Sequence, residues 1–315
     1  MSIQSLFQRF HEAIKLKRLD ENAELVEKRD RIIKRLRDNL PRSPSFEVFN
    51  QGSYAMGTGI KPLNGDYDID IGLLFDVSYR SYSPVEVKRW VYKAVSGHTT
   101  RVEWRRPCIT VYYQQAGEAI YHVDLAIMAK EPYSNTLYLA LGKEHSAKEQ
   151  QEWQPDDRKG FIQAVESRFA GEDANQFRRV IRYLKRWKDV HFSSEGHAAP
   201  TGLSLTVAAY RWFQPTKAGY YDTSYDDLAA TAALVSSIRR SFSQTWDTSL
   251  MRYVPRLSLQ FPKAPNDDVF ARMTNQQMQE FSQSLDQLSG WLDEARRTNT
   301  SAPLVRAFGK DFPSQ

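Results

Sequence analysis

The run Gly65-Asp66-Tyr67-Asp68-Ile69-Asp70-Ile71-Gly72-Leu73-Leu74-Phe75 is the most informative stretch of the chain. It reads as a strand, and side chains alternate between the two faces of a strand. Asp66, Asp68 and Asp70 therefore share one face, while Tyr67, Ile69 and Ile71 share the other, which can bury itself against a helix. Carboxylates gathered on one face repel one another unless they are solvated or bridged by a cation, and their hard oxygens suit Mg2+. Alternating acids are also common on the solvent face of an ordinary strand, so an Asp-x-Asp alone is a weak signal.

Two neighbours sharpen it. Downstream, Tyr121-His122-Val123-Asp124-Leu125-Ala126-Ile127 repeats the pattern: Val123, Leu125 and Ile127 point inward, and Asp124 points out beside the small Ala126. If the two strands are adjacent, Asp68, Asp70 and Asp124 converge. A two-metal site needs such a cluster, with ions roughly 3.5–4 Å apart serving the attacking and leaving oxygens of a phosphoryl transfer. Upstream, Gln51-Gly52-Ser53 sits at a strand-to-helix turn. Gly52 lets the backbone approach a phosphate, Ser53 supplies a hydroxyl, and the start of the following helix favours anions. Taken singly, this turn reads as an ordinary turn with a helix cap; the order Gly-Ser, Asp-x-Asp, then a third Asp on another strand is specific.

Working outward, an apolar stripe (Leu6, Phe10, Ile14, Leu16, Leu25, Ile32, Ile33, Leu36) predicts one long helix over 4–39, stopped by Pro41 and Pro44. A strand at 46–49, a helix at 84–96 and strands at 100–105, 108–114 and 119–128 follow, an alternation typical of mixed α and β domains. Residues 131–160 are polar and read as irregular, and helical patterns then dominate at 160–169, 176–191, 203–213, 225–241 and 275–297. The expected division is a lobe over 1–150 carrying the acidic strands and the long N-terminal helix, and a helical lobe over 151–315. The closing PLVRAFGKDFPSQ reads as a short tail.

The helix at 176–191 places Val180, Leu184 and Trp187 on one face and Arg178, Arg182 and Lys185 on another, where most of the charge is expected to be solvated. Pro200-Thr201-Gly202-Leu203-Ser204 opens the next helix with Thr201 as its cap. The six histidines and Cys108 show no metal-ligand spacing, which argues against zinc, and His122 reads as a packing or surface residue. One cysteine permits no internal disulfide and suits a reducing cytoplasm; no membrane span or secretory leader is legible. A net charge of +5 from 43 Lys+Arg and 38 Asp+Glu suits a phosphate-handling protein without identifying one.

Taken together, Gln51-Gly52-Ser53-Tyr54, Thr58 to Pro62, Asp66 to Gly72, His122 to Ala126, Leu184-Lys185-Arg186-Trp187, Pro265-Asn266-Asp267-Asp268 and Phe308-Gly309-Lys310-Asp311-Phe312 resemble the bacterial CD-NTase family of the DNA polymerase β-like superfamily. The resemblance implies an α+β fold: a nucleotidyltransferase lobe with a mixed sheet, a C-terminal helical lobe, and an active site in the cleft between them. It implies Asp68, Asp70 and Asp124 as catalytic ligands of two Mg2+ ions, or Mn2+ in their place. Gly52 and Ser53 would hold the donor triphosphate, Lys185 would contact it, and Thr201 and Ser204 would lie near a base. Asp66 matches no metal ligand of the family. The implied activity is synthesis of a cyclic di- or trinucleotide from ATP and a second nucleoside triphosphate in bacterial anti-phage signalling (CBASS). The product would act on a downstream effector, and a regulatory protein partner is compatible with the family. The zinc-bearing insertion used for DNA sensing by animal relatives is lacking. Linear oligoadenylate synthesis and RNA-directed nucleotidyl transfer are the alternatives within the same chemistry, and a non-catalytic module is disfavoured because all three acids are present.

Overall fold

The structure is a computed structural model and describes residues 2–16, 23–42, 44–65, 67–115, 118–131, 136–193, 199–219 and 224–314. The chain divides into two compact units, one of Lys17–Ala164 with Lys263–Pro265, the other of Met1–Leu16, Val165–Pro262 and Asn266–Gln315. The single helix expected over 4–39 is two, α1 (Ile3–Ile14) and α2 (Ala23–Asn39), and they fall in different units. The apolar stripe continues across both, but it serves two cores. Leu6, Phe7, Phe10 and Ile14 are buried in the helical unit, whereas Leu25, Ile32 and Leu36 are buried in the sheet unit. Residues 151–164, expected in the helical lobe, group with the sheet.

The sheet unit is built on a mixed seven-stranded sheet. Its central path runs β1 (Phe46–Asn50), β2 (Tyr67–Phe75), β5 (Glu118–Lys130), β4 (Ile109–Gln115), β3 (Arg101–Trp104). β6 (Leu137–Leu141) pairs with β5, and β7 (Glu152–Pro155) with β6. These last two strands lie where an irregular stretch was expected. They are short, and their polar surroundings carry little period-two signal. β2 and β5 run parallel and the other pairs are antiparallel.

The period-two reading of β2 and β5 explains the core. Ile69, Ile71, Leu73, Val123, Leu125 and Ile127 are all completely buried. They lie on the face covered by α4 (Pro84–Val95), whose Val85, Val87, Val91 and Ala94 are buried and whose start is capped by Ser83. α4 also buries Lys88, which donates to three carbonyl oxygens, those of Arg105, Arg106 and Gly142, at 2.6, 2.7 and 2.8 Å. A buried ammonium is tolerated only with such partners. It pins the turn between β3 and β4 to the end of β6.

The helical unit is centred on α6 (Gly171–His191), with α1, α7 (Gly202–Trp212), α8 (Asp227–Arg240), α9 (Asn275–Thr298) and α10 (Ala302–Phe308). A polar knot sits in it. Buried Asp227 accepts from Arg179 Nε at 2.7 Å and from the Tyr183 hydroxyl at 2.9 Å. The stretch expected to be a tail forms α10, and Phe308 and Phe312 pack against Phe7 and Phe10 with ring centroids 5.0–6.0 Å apart. A hairpin of β8 (Ser243–Asp247) and β9 (Arg252–Arg256) completes the unit. Among the described residues, no helix is long and apolar enough to cross a membrane.

Candidate active site

The acidic face of the sheet carries the chemistry. Strand register sets Asp70 directly beside Asp124 on the parallel neighbours β2 and β5, with Asp68 beside His122 one step away. Each of Asp68, Asp70 and Asp124 offers a carboxylate oxygen within 4.8 Å of the others. Two such charges about 5 Å apart repel by roughly 3 kcal/mol at an effective dielectric near 20, so the trio has a standing electrostatic demand for a cation. Asp66 lies outside the described residues.

The β1–β2 connection supplies a close backbone approach. The Gln51 amide donates to the Asp70 carbonyl at 2.9 Å, which draws the start of α3 (Gly52–Ala55) onto the end of the acidic face. Gly52 has φ +65°, and a Cβ there would stand 1.8 Å from Asp70 Oδ2. Glycine is thus required twice, once by the left-handed backbone and once by the carboxylate against its Cα. Below the acids the same face carries Gly72 and Ala126, paired in register. A Cβ on Gly72 would lie 2.3 Å from the Phe49 ring and 2.4 Å from Gln51 Nε2. The small residues make room for the turn that carries Gly52 and Ser53. Tyr54 is buried with its hydroxyl unpartnered among the described residues. Burial, then the nearby charge of Asp68 and other groups, raises its pKa.

The register extends the face beyond the three acids in two rows. In the first, Asp70, Asp124, Thr110 and Glu103 lie side by side on β2, β5, β4 and β3; in the second, Asp68, His122, Tyr112 and Arg101 do so. Side-chain contacts bear this out. Thr110 Oγ1 donates to Asp124 Oδ1 at 2.5 Å, His122 Nε2 stands 3.3 Å from Asp68 Oδ1, and the Tyr112 and His122 rings are 5.7 Å apart. Arg101 lies over the Tyr112 ring, 4.0 Å from its centroid. The Tyr112 hydroxyl donates to Glu103 at 2.8 Å and accepts from Arg105. Burial pulls the Arg105 pKa down, but Tyr112, Asp124, Cys108 and Glu103 outweigh it and hold it above the ordinary arginine value.

The structure thus brings together Gly52, Asp68, Asp70 and Asp124. In the helical unit, Thr201 caps α7, its Oγ1 accepting from the Ser204 amide at 3.0 Å, and the Ser204 hydroxyl donates to the Thr201 carbonyl at 2.8 Å. Lys185 lies alongside, its Cε 3.4 Å from where a Cβ on Gly202 would be. Lys185, Thr201 and Ser204 therefore form one group. The expectation that most charge on the basic helix is solvated fails for Arg182, Lys185 and Arg186, which are buried. Arg186 pairs with Asp311 at 3.3 Å. Asp268, part of a matched motif, has its Oδ1 engaged by the amides of Leu259 and Phe270 and holds a turn.

Sequence reading missed Thr110, Tyr112, Arg101, Glu103 and Arg105, and it set His122 aside as a packing or surface residue. Their types give no pattern by themselves; only cross-strand register assembles them.

Among the described residues, the clustered donors Asp68, Asp70 and Asp124 are all carboxylates, whose hard oxygens fit a divalent cation.

Residues 46–128 match the family described as cyclic GMP-AMP synthase DncV-like, nucleotidyltransferase domain. Similar solved structures include the CD-NTase CdnG of Bradyrhizobium diazoefficiens in complex with GTP, with 16% identity, a TM-score of 0.71 and coverage of 97% of this chain and 95% of that one. CdnC of E. coli MS115-1, solved with ATP, shows 15% identity, a TM-score of 0.68 and coverage of 100% and 99%. It is also solved in a complex with HORMA-deltaN. DncV of Vibrio cholerae in its apo form shows 15% identity, a TM-score of 0.63 and coverage of 98% and 86%. The fold is that of these CD-NTase structures, as the resemblance implies.

Proposed function

We propose, from the match of residues 46–128 to the DncV-like nucleotidyltransferase domain and the acidic cluster it contains, that the chain joins nucleoside triphosphates into a cyclic di- or trinucleotide. The observation carrying this reading is the meeting of Asp68, Asp70 and Asp124 on two neighbouring strands, with the Gly52 backbone against Asp70. Asp68, Asp70 and Asp124 would hold Mg2+ or Mn2+, which when bound neutralises the developing charge on the phosphates. Gly52 and Ser53 seat the donor triphosphate, because only a Cα at position 52 leaves space beside the carboxylate. The ribose hydroxyl oxygen of an acceptor nucleotide bonds to the donor α-phosphorus. The α–β phosphoanhydride breaks, pyrophosphate departs with the bond's electron pair, and the Asp124 carboxylate takes the hydroxyl proton. Thr110 fixes the rotamer of Asp124 throughout. A second transfer within the linear product closes the ring. Lys185, Thr201 and Ser204 are assigned to nucleotide contact.

CdnG is solved with GTP and CdnC with ATP, which supports purine triphosphates as substrates, and the HORMA-deltaN complex of CdnC supports control by a protein partner. An anti-phage role for the product follows the family. The test is mass spectrometry of products formed from Mg2+ and the four triphosphates. Phosphatase-resistant cyclic products, abolished by Asp68→Ala and by Asp70→Ala in folded protein, are expected. Retained activity in both variants overturns the reading, and linear products alone, or a requirement for an RNA primer, turn it to the alternatives.

A further inference from the structure

The order of strands divides the acidic face into two sides. Gly52 and Ser53 adjoin β2 on the β1 side, and β4 and β3 extend on the other side of Asp124. In a phosphoryl transfer the attacking and leaving oxygens stand roughly in line through phosphorus. If the donor's departing pyrophosphate lies at Gly52 and Ser53, the attacking hydroxyl must come from the side of β4 and β3. An acceptor on that side brings its own 5′-triphosphate close to three carboxylates, and that charge needs cations of its own.

The face carries such cations there. Arg101 on β3 and Arg105 just after it flank the buried Tyr112 of β4, the strand that carries Thr110 and neighbours the Asp124 strand. Arg101 stacks on the ring at 4.0 Å, and Arg105 stands 5.7 Å from its centroid and donates to its hydroxyl. Glu103 ties them together, accepting from Arg101 Nε at 2.9 Å and from Arg105 Nε at 3.4 Å. These contacts use the inner edge of each guanidinium. Each carries five N–H donors, and among the described residues the outer donors have no acceptor, with the side chains 50% and 44% exposed. Stacking and the Glu103 bridge fix the direction of both forks before any ligand arrives, which suits bidentate capture of phosphate oxygens. An ordinary surface salt bridge would explain one Arg–Glu pair; it does not explain two arginines held by one buried tyrosine in register with the acidic row.

We propose that Arg101 and Arg105, held on Tyr112 and Glu103, bind the 5′-triphosphate of the acceptor nucleotide and so select a charged nucleotide over an uncharged nucleoside as the attacking partner. This rests on the nucleotidyl-transfer reading of the acidic site. The test uses the full chain with Mg2+ and each α-labelled triphosphate in turn as donor. Acceptors are the α,β-methylene triphosphates, which can accept but cannot donate, and the matching nucleosides. Wild-type protein is expected to prefer the charged acceptor. Arg101→Ala with Arg105→Ala is expected to lower that preference by about 10–100-fold, the loss of one or two charge-assisted hydrogen bonds, while the donor KM stays unchanged. Replacement of both by lysine should restore part of the preference. If the double variant unfolds, Arg101→Gln and Arg105→Gln carry the same test singly. An unchanged preference, or a rise in donor KM equal to that for acceptor, overturns the proposal alone. No label transfer by wild-type protein to any acceptor overturns the nucleotidyl-transfer reading and this proposal with it.

Discussion

Substituting Gly52 by alanine tests how the backbone and the carboxylates are joined. Two separable effects are expected. Gly52 has φ +65°, so any L side chain there carries a left-handed penalty of about 1–2 kcal/mol. The new methyl would also stand 1.8 Å from Asp70 Oδ2 and 2.6 Å from its Cγ, closer than the 3.0 Å below which something must shift. The carboxylate therefore has to retreat by more than an ångström, and a misplacement of about 1 Å can cost about 100-fold in rate. Gly97 separates the two effects. Its φ of +74° imposes the same strain, but a Cβ there meets nothing within 4 Å. Gly97→Ala should be destabilised by a similar 1–2 kcal/mol and keep its turnover, while Gly52→Ala should lose about 100-fold or more at a comparable melting temperature. Initial rates of labelled nucleotide transfer, with thermal unfolding alongside, measure both. Turnover of Gly52→Ala within a few-fold of Gly97→Ala would refute the placement of Asp70 against this backbone.

Thr110→Val removes the hydroxyl that orients Asp124, and the Mg2+ concentration for half-maximal rate should rise by about 10–100-fold with little change in folding; an unchanged metal requirement counts against that role. Lys88→Met leaves three carbonyl oxygens without their donor, so urea unfolding should show a loss of about 3 kcal/mol or more, and a loss under 1 kcal/mol would mean the ammonium is not the clamp described. Burial, then the charges of Arg182, Lys15 and Arg179, hold the His11 imidazole down at about 3. The unfolded chain takes up that proton near pH 6.5 and the folded chain does not, so the stabilisation is complete above pH 6.5 and falls as pH drops toward 3, by at most about 1.4 kcal/mol per pH unit. His11→Gln should flatten this part of the stability profile, and an unaltered slope would disprove the assignment.

Much of the site could be read before any coordinates because its signal is local. Asp68 and Asp70 share a face through a period of two, and Ile69, Ile71, Val123 and Leu125 mark the opposite face as core. The unread part depends on register between distant segments. β2 and β5 are parallel neighbours more than forty residues apart, and no residue type in β3 or β4 announces that Arg101, Tyr112 and Thr110 will line up with His122 and Asp124. The basic helix misled for a related reason. Helical spacing gives the angle between Arg182 and Leu184 but not how wide the covered arc is, and α6 is enclosed widely enough to bury Arg182, Lys185 and Arg186. The stripe over residues 4–39 was continuous in sequence yet divided between two cores, since period alone does not say which partner each turn meets. β6, β7 and α10 were too short to stand out until packing defined them.

The central claim is that Asp68, Asp70 and Asp124 together hold divalent ions. Anomalous diffraction from crystals grown with Mn2+ and a non-hydrolysable nucleoside triphosphate addresses it directly. The account predicts Mn2+ bound between oxygens of these three carboxylates, with the triphosphate reaching Gly52 and Ser53. Mn2+ seated on other residues, or a triphosphate bound with these carboxylates uninvolved, would contradict it.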